Sequence, residues 1–463
     1  MHLVVVGGSD AGISAALRAR ELDETTEVTV VVADAYPNFS ICGIPYYISG
    51  EVTHWRHLAH RTRQDLEATG MQLRLDTLAT VIDTPGRRLR VRDSSGESWI
   101  GYDALVVGTG AVPVRPPIVG LDTVGPLDGV HLLHTMGDTF ALEATLERSN
   151  PRRALIVGAG YVGLEMAEGL AARGIHVTQV ERLPEVLPTV DPELGALVHA
   201  ELNRHGVDVH TGTTVTRIAK DDAGLHVEGR GPGEEPIAWD VDLVLVVVGV
   251  RPDTDLLVSA GAATGPADAV DVGSDMRTSL DGVWAAGDCV ITHHRLLGRS
   301  YLPLGTTAHK QGRVAGENAI GGSARYAGSV GTQVVKVFDL VAARTGLRDR
   351  DATDAGYPTA TTHSSPDDHK RYYPGAEPIS LRITGDTGTG RLLGAQLVGG
   401  LTTQTAKRVD TLATAIFHEM TVEAVSELDL SYTPPLGSPW DAVQMATQDW
   451  VRHHRSTPTG APV

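Results

Sequence analysis

The chain has 463 residues, 57 Asp and Glu against 39 Lys and Arg, and two cysteines, and a length of this order predicts about three domains. Its 41% hydrophobic and 21% charged residues are typical of a globular protein rather than a disordered or fibrous one. The net charge of −18 repels nucleic acid and anionic lipid, and the longest apolar run (243–250) is too short to span a bilayer. Two cysteines form neither a disulfide framework nor a zinc site. We therefore expect a cytoplasmic protein with no nucleic-acid, membrane or metal partner.

The first predicted element is a βαβ unit over residues 3–34, in which an apolar strand leads through a glycine turn into an Ala-rich helix and a second strand. Its turn consists of Gly7, Gly8, Ser9, Asp10, Ala11 and Gly12, with Ser9 in place of the middle glycine of the GxGxxG pattern. Such a turn brings the free N–H groups of a helix N-terminus to a phosphate. The pattern therefore predicts dinucleotide binding.

Cys42 follows in the loop 37–47, with Pro45 placed for the first turn of a helix. A thiol at a helix N-terminus gains thiolate character, which would make Cys42 a redox-active nucleophile, but a small buried residue is an equally good interpretation of its position. Cys289 follows Asp288 in an apolar run, where we expect it to be buried and inert.

In the segment 105–117, a strand ends at the glycines around Thr109 and Gly110, and prolines close the segment. A second βαβ unit follows over 154–182. This unit carries the intact pattern of Gly158, Gly160 and Gly163. Glu181, at the end of its second strand, can accept hydrogen bonds from an adenosine ribose and predicts NADH over NADPH. Arg182 beside it could receive a 2′-phosphate instead.

The strand of residues 242–253, which contains Gly249, ends in the same way as 105–117, so the two look like corresponding exits from nested domains. Gly287 and Asp288 follow, and the helix predicted over 303–320 has the Ala and Gly spacing of close packing. The first glycine turn, the segment 108–113 and Asp288 are spread along the chain, as in proteins where three segments converge on FAD.

The sequence after about residue 325 predicts antiparallel strands over 334–345, 379–386 and 392–400 and helices over 403–419 and 439–452. The residues 453–463 form a polar tail that we expect to be flexible. The predicted domains are an FAD-binding domain (1–149 with 276–324), an NAD(P)H-binding domain (150–275) and an interface domain (325–452).

Six blocks of this sequence resemble the single-cysteine branch of the FAD-dependent pyridine nucleotide-disulfide oxidoreductases. This branch includes coenzyme A-disulfide reductases, NADH oxidases, NADH peroxidases and NAD(P)H persulfide reductases. The blocks are residues 39–47, 160–165, 285–288, 332–340, 372–376 and 431–438. The resemblance implies an α/β fold with two nested Rossmann-like dinucleotide-binding domains, a C-terminal α+β dimerisation domain and a homodimer.

The resemblance also implies a mechanism. Hydride passes from NADH or NADPH to FAD, electrons pass to Cys42, and the Cys42 thiolate attacks a disulfide or sulfane sulfur of the substrate. Tyr161 matches an aromatic gate over the flavin, and Glu165 matches a carboxylate near it. Tyr432 and one of Tyr372 and Tyr373 match tyrosines that reach the site from the partner subunit.

Binding of a coenzyme A derivative requires basic groups for its phosphates. Arg18 matches a family arginine near the coenzyme A channel, and Arg61, with Arg63, is a further candidate. Asn38, which replaces the family's serine, and Ser40 are substrate-binding candidates in the cysteine block. Val32 occupies the usual position of the acid for the FAD ribose, so Asp34 is the candidate for that contact.

The electron acceptor stays open between a coenzyme A disulfide, another low-molecular-weight disulfide or persulfide, and oxygen or peroxide. Peroxide- and oxygen-reducing members carry a histidine where this chain has Asp10, and an ionised carboxylate cannot donate a proton as an imidazole does. We therefore predict a disulfide reductase, with an NADH oxidase or peroxidase as the alternative. A non-catalytic flavoprotein redox sensor is the alternative of another class.

Overall fold

The computed structural model describes residues 1–222 and 224–454, which contain 25 strands and twelve helices. The strands are β1 His2–Val6, β2 Glu27–Val31, β3 Gln72–Arg74, β4 Leu78–Asp83, β5 Arg88–Asp93, β6 Gly96–Gly101, β7 Ala104–Val107, β8 Ala111–Pro113, β9 Val130–Leu132, β10 Arg153–Val157, β11 His176–Val180, β12 Asp208–His210, β13 Thr214–Asp221, β14 Gly224–Arg230, β15 Pro236–Val241, β16 Leu243–Val246, β17 Val250–Pro252, β18 Val283–Ala285, β19 Thr292–His294, β20 Gly298–Ser300, β21 Gln333–Val337, β22 Leu340–Gly346, β23 Thr359–Ser364, β24 Ser380–Asp386 and β25 Leu392–Gly400. The helices are α1 Asp10–Leu22, α2 Ile44–Ser49, α3 Arg63–Ala68, α4 Met136–Ser149, α5 Tyr161–Ala172, α6 Pro192–Arg204, α7 Asp255–Ser259, α8 Gly305–Ala319, α9 Asp349–Asp354, α10 Thr405–Phe417, α11 Val422–Ser426 and α12 Ala442–His454. From residue 455 onward, the predicted tail lies outside the described residues.

The first sheet is parallel throughout, with the strand order β18-β7-β1-β2-β3. Its central strands β1 and β7 are apolar and buried, as expected for strands covered on both faces. The edge strand β18 is supplied by residues far along the chain. The chain therefore leaves this unit, forms a second one and returns.

The second sheet repeats the arrangement, with the parallel order β12-β11-β10-β16-β9. Each parallel sheet is accompanied by a three-stranded antiparallel sheet, β4-β5-β6 in the first unit and β13-β14-β15 in the second. These smaller sheets were not predicted from the sequence.

The two segments predicted to lead out of the nested domains pair with each other. β8 and β17 form an antiparallel ribbon in which Pro113 lies opposite Val250 and Ala111 opposite Pro252. The two crossings between the parallel units therefore lie side by side. The exact boundaries at residues 149, 275 and 324 stay a prediction.

The C-terminal part is an antiparallel sheet of order β21-β22-β25-β24-β23, with α10 and α12 packed against it. The predicted strands over 379–386 and 392–400 and the two predicted helices correspond to β24, β25, α10 and α12. The segment predicted as one strand over 334–345 is a hairpin of β21 and β22, and β23, α9 and α11 were not predicted. The predicted fold class, two Rossmann-like units with a C-terminal α+β domain, is confirmed. In the part of the chain that the structure describes, no helix is long and apolar enough to cross a membrane.

Candidate active site

The first glycine turn joins β1 to the N-terminus of α1 and leaves no room for a side chain at its glycine positions. Gly7 has a φ of +111°, and a Cβ there would lie 2.1 Å from the Gly108 carbonyl oxygen. A Cβ on Gly12 would lie 2.1 Å from the Gly7 oxygen, and one on Gly8 would lie 2.5 Å from Val32 Cγ1. Ser9 and Asp10 start α1, whose free N–H groups favour an anion at this end. The turn therefore fits a dinucleotide pyrophosphate.

The other two predicted FAD segments converge on this turn. Gly287 (φ +87°) lies against Ala11, since a Cβ on it would be 2.9 Å from Ala11 Cβ, and its N–H donates to Gln311 Oε1 at 2.9 Å. Burial raises the pKa of the neighbouring Asp288 to about 6, and the charge of Asp10 adds to the effect. A half-buried carboxylate beside the turn suits hydrogen bonding to ribityl or ribose hydroxyls.

Thr109 and Gly110 lie at the crossing between the two parallel units. Thr109 Oγ1 donates to the Asp253 carbonyl at 2.5 Å, and the Gly110 carbonyl accepts from Asp253 N at 2.9 Å. Gly249 (φ +106°) accepts from Val114 N at 2.9 Å on the same ribbon. These residues fix the position of one unit relative to the other.

The end of β2, where the family usually has an acid for the FAD ribose, carries Val32 instead. The buried Val32 side chain fills the space next to Gly8, and it has no hydrogen-bonding group. Asp34 accepts from Tyr36 N at 2.8 Å, and burial raises the pKa of its carboxyl despite that bond. Asp34 is therefore the acid available at this strand end.

Cys42 lies in a single 3-10 turn, Ile41–Gly43, directly before α2, and its side chain is exposed. The pKa of its thiol is nevertheless raised, first by the protein around it and then by the charges of Glu165, Asp10 and Asp288. The helix N-terminus does not lower this pKa, because α2 has only six residues and desolvation by the surrounding protein, followed by the three carboxylates, acts in the opposite direction. Cys289 is fully buried, as expected, with Sγ 3.5 Å from the Ala286 carbonyl.

The backbone of Asn38 joins the cysteine loop to the glycine turn, and the backbone of Ser40 joins the loop to Leu58. Asn38 has a φ of +61° and donates its N–H to the Gly8 carbonyl at 2.6 Å. Its side chain is buried, and its Oδ1 has no hydrogen-bond partner among the described residues. Ser40 N donates to the Leu58 carbonyl at 2.8 Å. The unpaired Asn38 oxygen is an acceptor available to a bound group.

The second glycine turn joins β10 to α5 and is as tight as the first. Gly158 has a φ of +105°, and a Cβ on Gly163 would lie 2.1 Å from the Gly158 carbonyl oxygen, whereas Gly160 faces open space. Glu181 accepts from Ala159 N and Leu183 N, both at 2.8 Å, so the loop itself orients its carboxylate. Arg182 is exposed. The arrangement fits a nicotinamide dinucleotide.

Tyr161 and Glu165 are on successive turns of α5, which packs against α2 next to Cys42. Tyr161 OH lies 3.2 Å from Thr189 Oγ1, and burial raises the pKa of its hydroxyl. Burial also raises the pKa of Glu165 to about 7, and Tyr46 OH donates to its Oε1 at 3.3 Å. α5 thus carries both the second glycine turn and a carboxylate that acts on Cys42.

Arg18 lines a surface cavity of about 200 Å³ between α1 and α8, together with Lys310, Arg313 and Glu317. Its guanidinium donates twice to Glu317 Oε2, at 2.9 and 2.6 Å, and lies 3.0 Å from Glu21. Arg313 also pairs with Glu21, at 3.2 Å, so two of the three cations at this cavity already have glutamate partners. Arg61 is exposed, and Arg63 pairs with Glu67 at 2.7 Å, outside this cavity.

The three tyrosines lie on the C-terminal part and are exposed. Tyr372 and Tyr432 form a hydrogen bond with each other, which raises the pKa of Tyr372. The ring of Tyr373 contacts His369 with centroids 5.8 Å apart. The structure therefore brings Tyr372 and Tyr432 together on an accessible surface of this chain.

Comparison with known proteins matches most of the chain to the family that its sequence motifs resemble. Residues 1–312 match the model for pyridine nucleotide-disulphide oxidoreductases, and residues 332–442 match the dimerisation domain of these proteins.

Individual proteins match over nearly the full length. A Methanocaldococcus jannaschii protein named NADH oxidase is 31% identical over 458 residues, which cover 98% of this chain and 99% of that protein. A Pyrococcus horikoshii NAD(P)H coenzyme A polysulfide/persulfide reductase is 31% identical, with 95% and 96% covered. The solved structure of an NAD-dependent persulfide reductase from A. fulgidus superposes with a TM-score of 0.92 at 34% identity, and the match covers 98% of this chain and 83% of that chain.

Proposed function

We propose a function from the premise that this chain belongs to the pyridine nucleotide-disulphide oxidoreductase family. In this proposal it reduces a coenzyme A disulfide, or a related low-molecular-weight disulfide or persulfide, through Cys42. The chain is an NAD(P)H-dependent flavoprotein oxidoreductase, and the substrate and the single-cysteine mechanism are our proposal. We place the active enzyme in the cytoplasm as a homodimer.

The cofactors of the family are FAD and NADH or NADPH. The turn from Gly7 to Gly12 with Asp34 and Asp288 would hold FAD, and the turn from Gly158 to Gly163 with Glu181 would hold the nicotinamide nucleotide. When bound, FAD relays two electrons from the reduced nicotinamide to the sulfur of Cys42. The oriented carboxylate of Glu181 favours NADH, because it would repel the 2′-phosphate of NADPH.

One observation carries the proposal: Cys42 is exposed directly before α2, which packs against α5, whereas the second cysteine, Cys289, is completely buried. Cys42 has no resolving thiol within the chain, so the second sulfur of a disulfide must come from the substrate. The Cys42 thiolate attacks one sulfur of the substrate, the substrate S–S bond breaks, and a mixed disulfide forms. The departing thiolate takes a proton, and two electrons from NAD(P)H then release the second thiol and regenerate Cys42.

The cavity beside α1 and α8 supports a phosphate-bearing substrate. Arg18, Lys310 and Arg313 line it, and cations of this kind bind phosphate oxygens. Arg18 would have to exchange its bond to Glu317 for one to the substrate. Asn38 and Ser40 would contact the substrate near Cys42, and Tyr432 with Tyr372 or Tyr373 would reach the site of the partner subunit.

The test compares Cys42→Ser with Cys289→Ala in the FAD-loaded enzyme. We expect Cys42→Ser to retain FAD but to lose NADH-dependent reduction of coenzyme A disulfide by at least about a thousandfold, because no nucleophile remains. Cys289→Ala removes the other thiol and should keep turnover within about threefold, because the Cys289 Sγ is completely buried against the Val107 and Ala286 carbonyls and no substrate can reach it. If Cys42→Ser still reduces the disulfide, the proposal fails.

A second candidate function is an NADH oxidase, which the M. jannaschii relative favours by name. It would be preferred if the enzyme reduced oxygen much faster than any disulfide. A redox sensor would instead accept electrons from NADH without rapid reoxidation by disulfide, persulfide or oxygen.

A further inference from the structure

Thr189, a residue that the sequence patterns do not single out, contacts Tyr161 next to the second glycine turn. The Thr189 Oγ1 lies 3.2 Å from the Tyr161 OH, within hydrogen-bond distance. Tyr161 is the first residue of α5 and directly follows Gly160, where a bound dinucleotide would place its pyrophosphate. Because the Tyr161 side chain is only partly buried, this hydrogen bond fixes the outer end of its ring.

The position of Tyr161 on α5 places it between this turn and Cys42. Residues four apart share one face of a helix, so Tyr161 and Glu165 lie on the same side of α5. On that side, Glu165 Oε1 accepts from Tyr46 OH of α2 at 3.3 Å, and Cys42 lies directly before α2. A reduced nicotinamide that extends from the second glycine turn toward Cys42 therefore passes the Tyr161 ring.

The loop that carries Thr189, residues 183–191 between β11 and α6, is held by the C-terminal part of the chain. Arg344 of β22 donates to the Thr189 carbonyl at 2.8 Å, and Arg348, just before α9, donates to the Pro188 carbonyl at 2.6 Å. Both arginine side chains are only 14% exposed. Hydrogen bonds from such shielded charged donors are costly to break.

The same loop is anchored on either side of Thr189. Asp191 N donates to Gln396 Oε1 at 2.6 Å, and Gln396 Nε2 donates back to Asp191 Oδ2 at 2.7 Å. Leu187 N donates at 2.9 Å to the carbonyl of Ala159, which belongs to the second glycine turn. The Thr189 hydroxyl is therefore a fixed point beside the nucleotide site.

We propose that Thr189 is a positioning residue that holds the Tyr161 ring in its resting position across the route of the nicotinamide. A nicotinamide that binds along α5 has to break this hydrogen bond in order to pass the ring. The inference rests on the proposed function in placing the nucleotide at the second glycine turn. Through Arg344, the C-terminal part of the chain then sets how readily the nucleotide site opens.

The inference predicts that removing this hydrogen bond strengthens nicotinamide binding. The net contribution of a single hydrogen bond corresponds to about twofold to tenfold in an equilibrium constant. ADP-ribose carries the same adenosine and pyrophosphate but lacks the nicotinamide, so it does not pass the Tyr161 ring. Its affinity should not depend on Thr189.

The test titrates the FAD-loaded enzyme with a tetrahydro analogue of NADH, which transfers no hydride, and measures the dissociation constant by calorimetry. We expect Thr189→Val to lower this constant about twofold to tenfold and to leave the constant for ADP-ribose unchanged. Tyr161→Phe removes the other hydroxyl and should have the same effect, and the double variant should show no further decrease. Thr189→Ser keeps the hydroxyl and should bind the analogue as the unsubstituted enzyme does.

Thr414→Val is the matched control, because Thr414 is an exposed threonine on α10 whose hydroxyl donates to the Asp410 carbonyl at 2.9 Å. It should change neither dissociation constant. If Thr189→Val fails to retain FAD, Tyr161→Phe gives the same readout. Since calorimetry measures binding without an electron acceptor, the result is independent of the disulfide turnover that tests the proposed function.

Three results would overturn the inference. The first is an unchanged or weaker affinity of Thr189→Val for the tetrahydro analogue. The second is a Thr189→Val effect that is equally large in the Tyr161→Phe background, and the third is an equal effect on ADP-ribose. Either of the last two would mean that Thr189 acts on the loop and not through the ring.

Discussion

Three carboxylates, those of Glu165, Asp10 and Asp288, set the environment of the Cys42 thiol at the scale of single residues. Desolvation is the first cause of the raised pKa of Cys42, and Glu165 has the largest effect among the three charges. Burial raises the pKa of Glu165 itself to about 7. The ionisation of Glu165 near neutral pH therefore affects both the reactivity of Cys42 and the stability of the fold.

The shift of Glu165 predicts how the stability of the protein depends on pH. Its pKa rises from 4.5 to about 7 on folding, so the folded state loses stability as pH rises through this interval, where only the unfolded state is ionised. Glu165→Gln avoids the loss. We expect Glu165→Gln to equal the unsubstituted protein below about pH 4.5 and to be more stable by about 3 kcal/mol above pH 7.

Thermal unfolding of the FAD-loaded protein at pH 5 and pH 8 measures this difference. Glu147→Gln, on the exposed face of α4, is the matched control and should show no pH-dependent gap. A gap for Glu165→Gln that is the same at both pH values would contradict the account.

Single residues were predictable where local sequence determines their role. The glycines of both turns could be found because a tight turn before a helix needs them at fixed spacing, and the structure places them so. Thr189 could not be found in this way, because its contact with Tyr161 joins residues 28 positions apart. The raised pKa of Cys42 was missed for the same reason, since Glu165 and Asp288 approach it only in the folded chain.

At the scale of elements, the contact between α1 and α8 positions the site. α8 lies so close to α1 that a Cβ on Gly312 would be 2.2 Å from the Ala11 carbonyl oxygen, and one on Gly316 would be 2.2 Å from that of Ala15. The predicted close packing of this helix is confirmed. This contact forms the cavity lined by Arg18.

Gly312→Ala tests this contact. The added methyl group must push α8 away from α1, so we expect a loss of about 2 kcal/mol or more in stability and weaker retention of FAD, since α1 begins at the first glycine turn. Thermal unfolding and flavin absorbance after gel filtration measure both effects.

Gly137→Ala, near the start of α4, is the matched control. Its Cβ would meet nothing closer than Thr135 Oγ1 at 3.6 Å, so stability should stay the same or increase slightly. Full FAD retention and unchanged stability in Gly312→Ala would show that the helices can separate at no cost, contrary to the geometry.

Most elements could be predicted, and those that were missed share a physical cause. The strands of the parallel sheets are continuous apolar runs, which the sequence displays directly. The antiparallel sheet β4-β5-β6 is largely polar and partly exposed, as in β6, so its strands have no strong hydrophobic pattern. β23 is likewise only partly buried and polar.

At the scale of the whole molecule, the C-terminal part is tied to the second parallel unit by ion pairs. Arg382 pairs with Asp191 at 2.9 Å, and Lys336 pairs with Glu168 of α5. The Phe338 N–H also donates to Glu168 Oε2 at 2.8 Å. The helix that carries Tyr161 and Glu165 is therefore held from both sides, by the C-terminal sheet and by α2 next to Cys42.

We propose that Cys42 attacks a sulfur of the disulfide substrate and forms a mixed disulfide with it. The most direct measurement takes FAD-loaded enzyme that has been reduced with dithiothreitol and desalted, so that Cys42 is a thiol, the flavin is oxidised and no NAD(P)H is present. This enzyme is mixed with one equivalent of coenzyme A disulfide without oxygen, the reaction is quenched in acid, and the mass of the Cys42 peptide is determined. We expect a reducible adduct with the mass of coenzyme A on Cys42 and none on Cys289. An unmodified Cys42 while the disulfide is consumed, or a Cys42 sulfenate in enzyme turning over oxygen faster than any disulfide, would contradict this proposal.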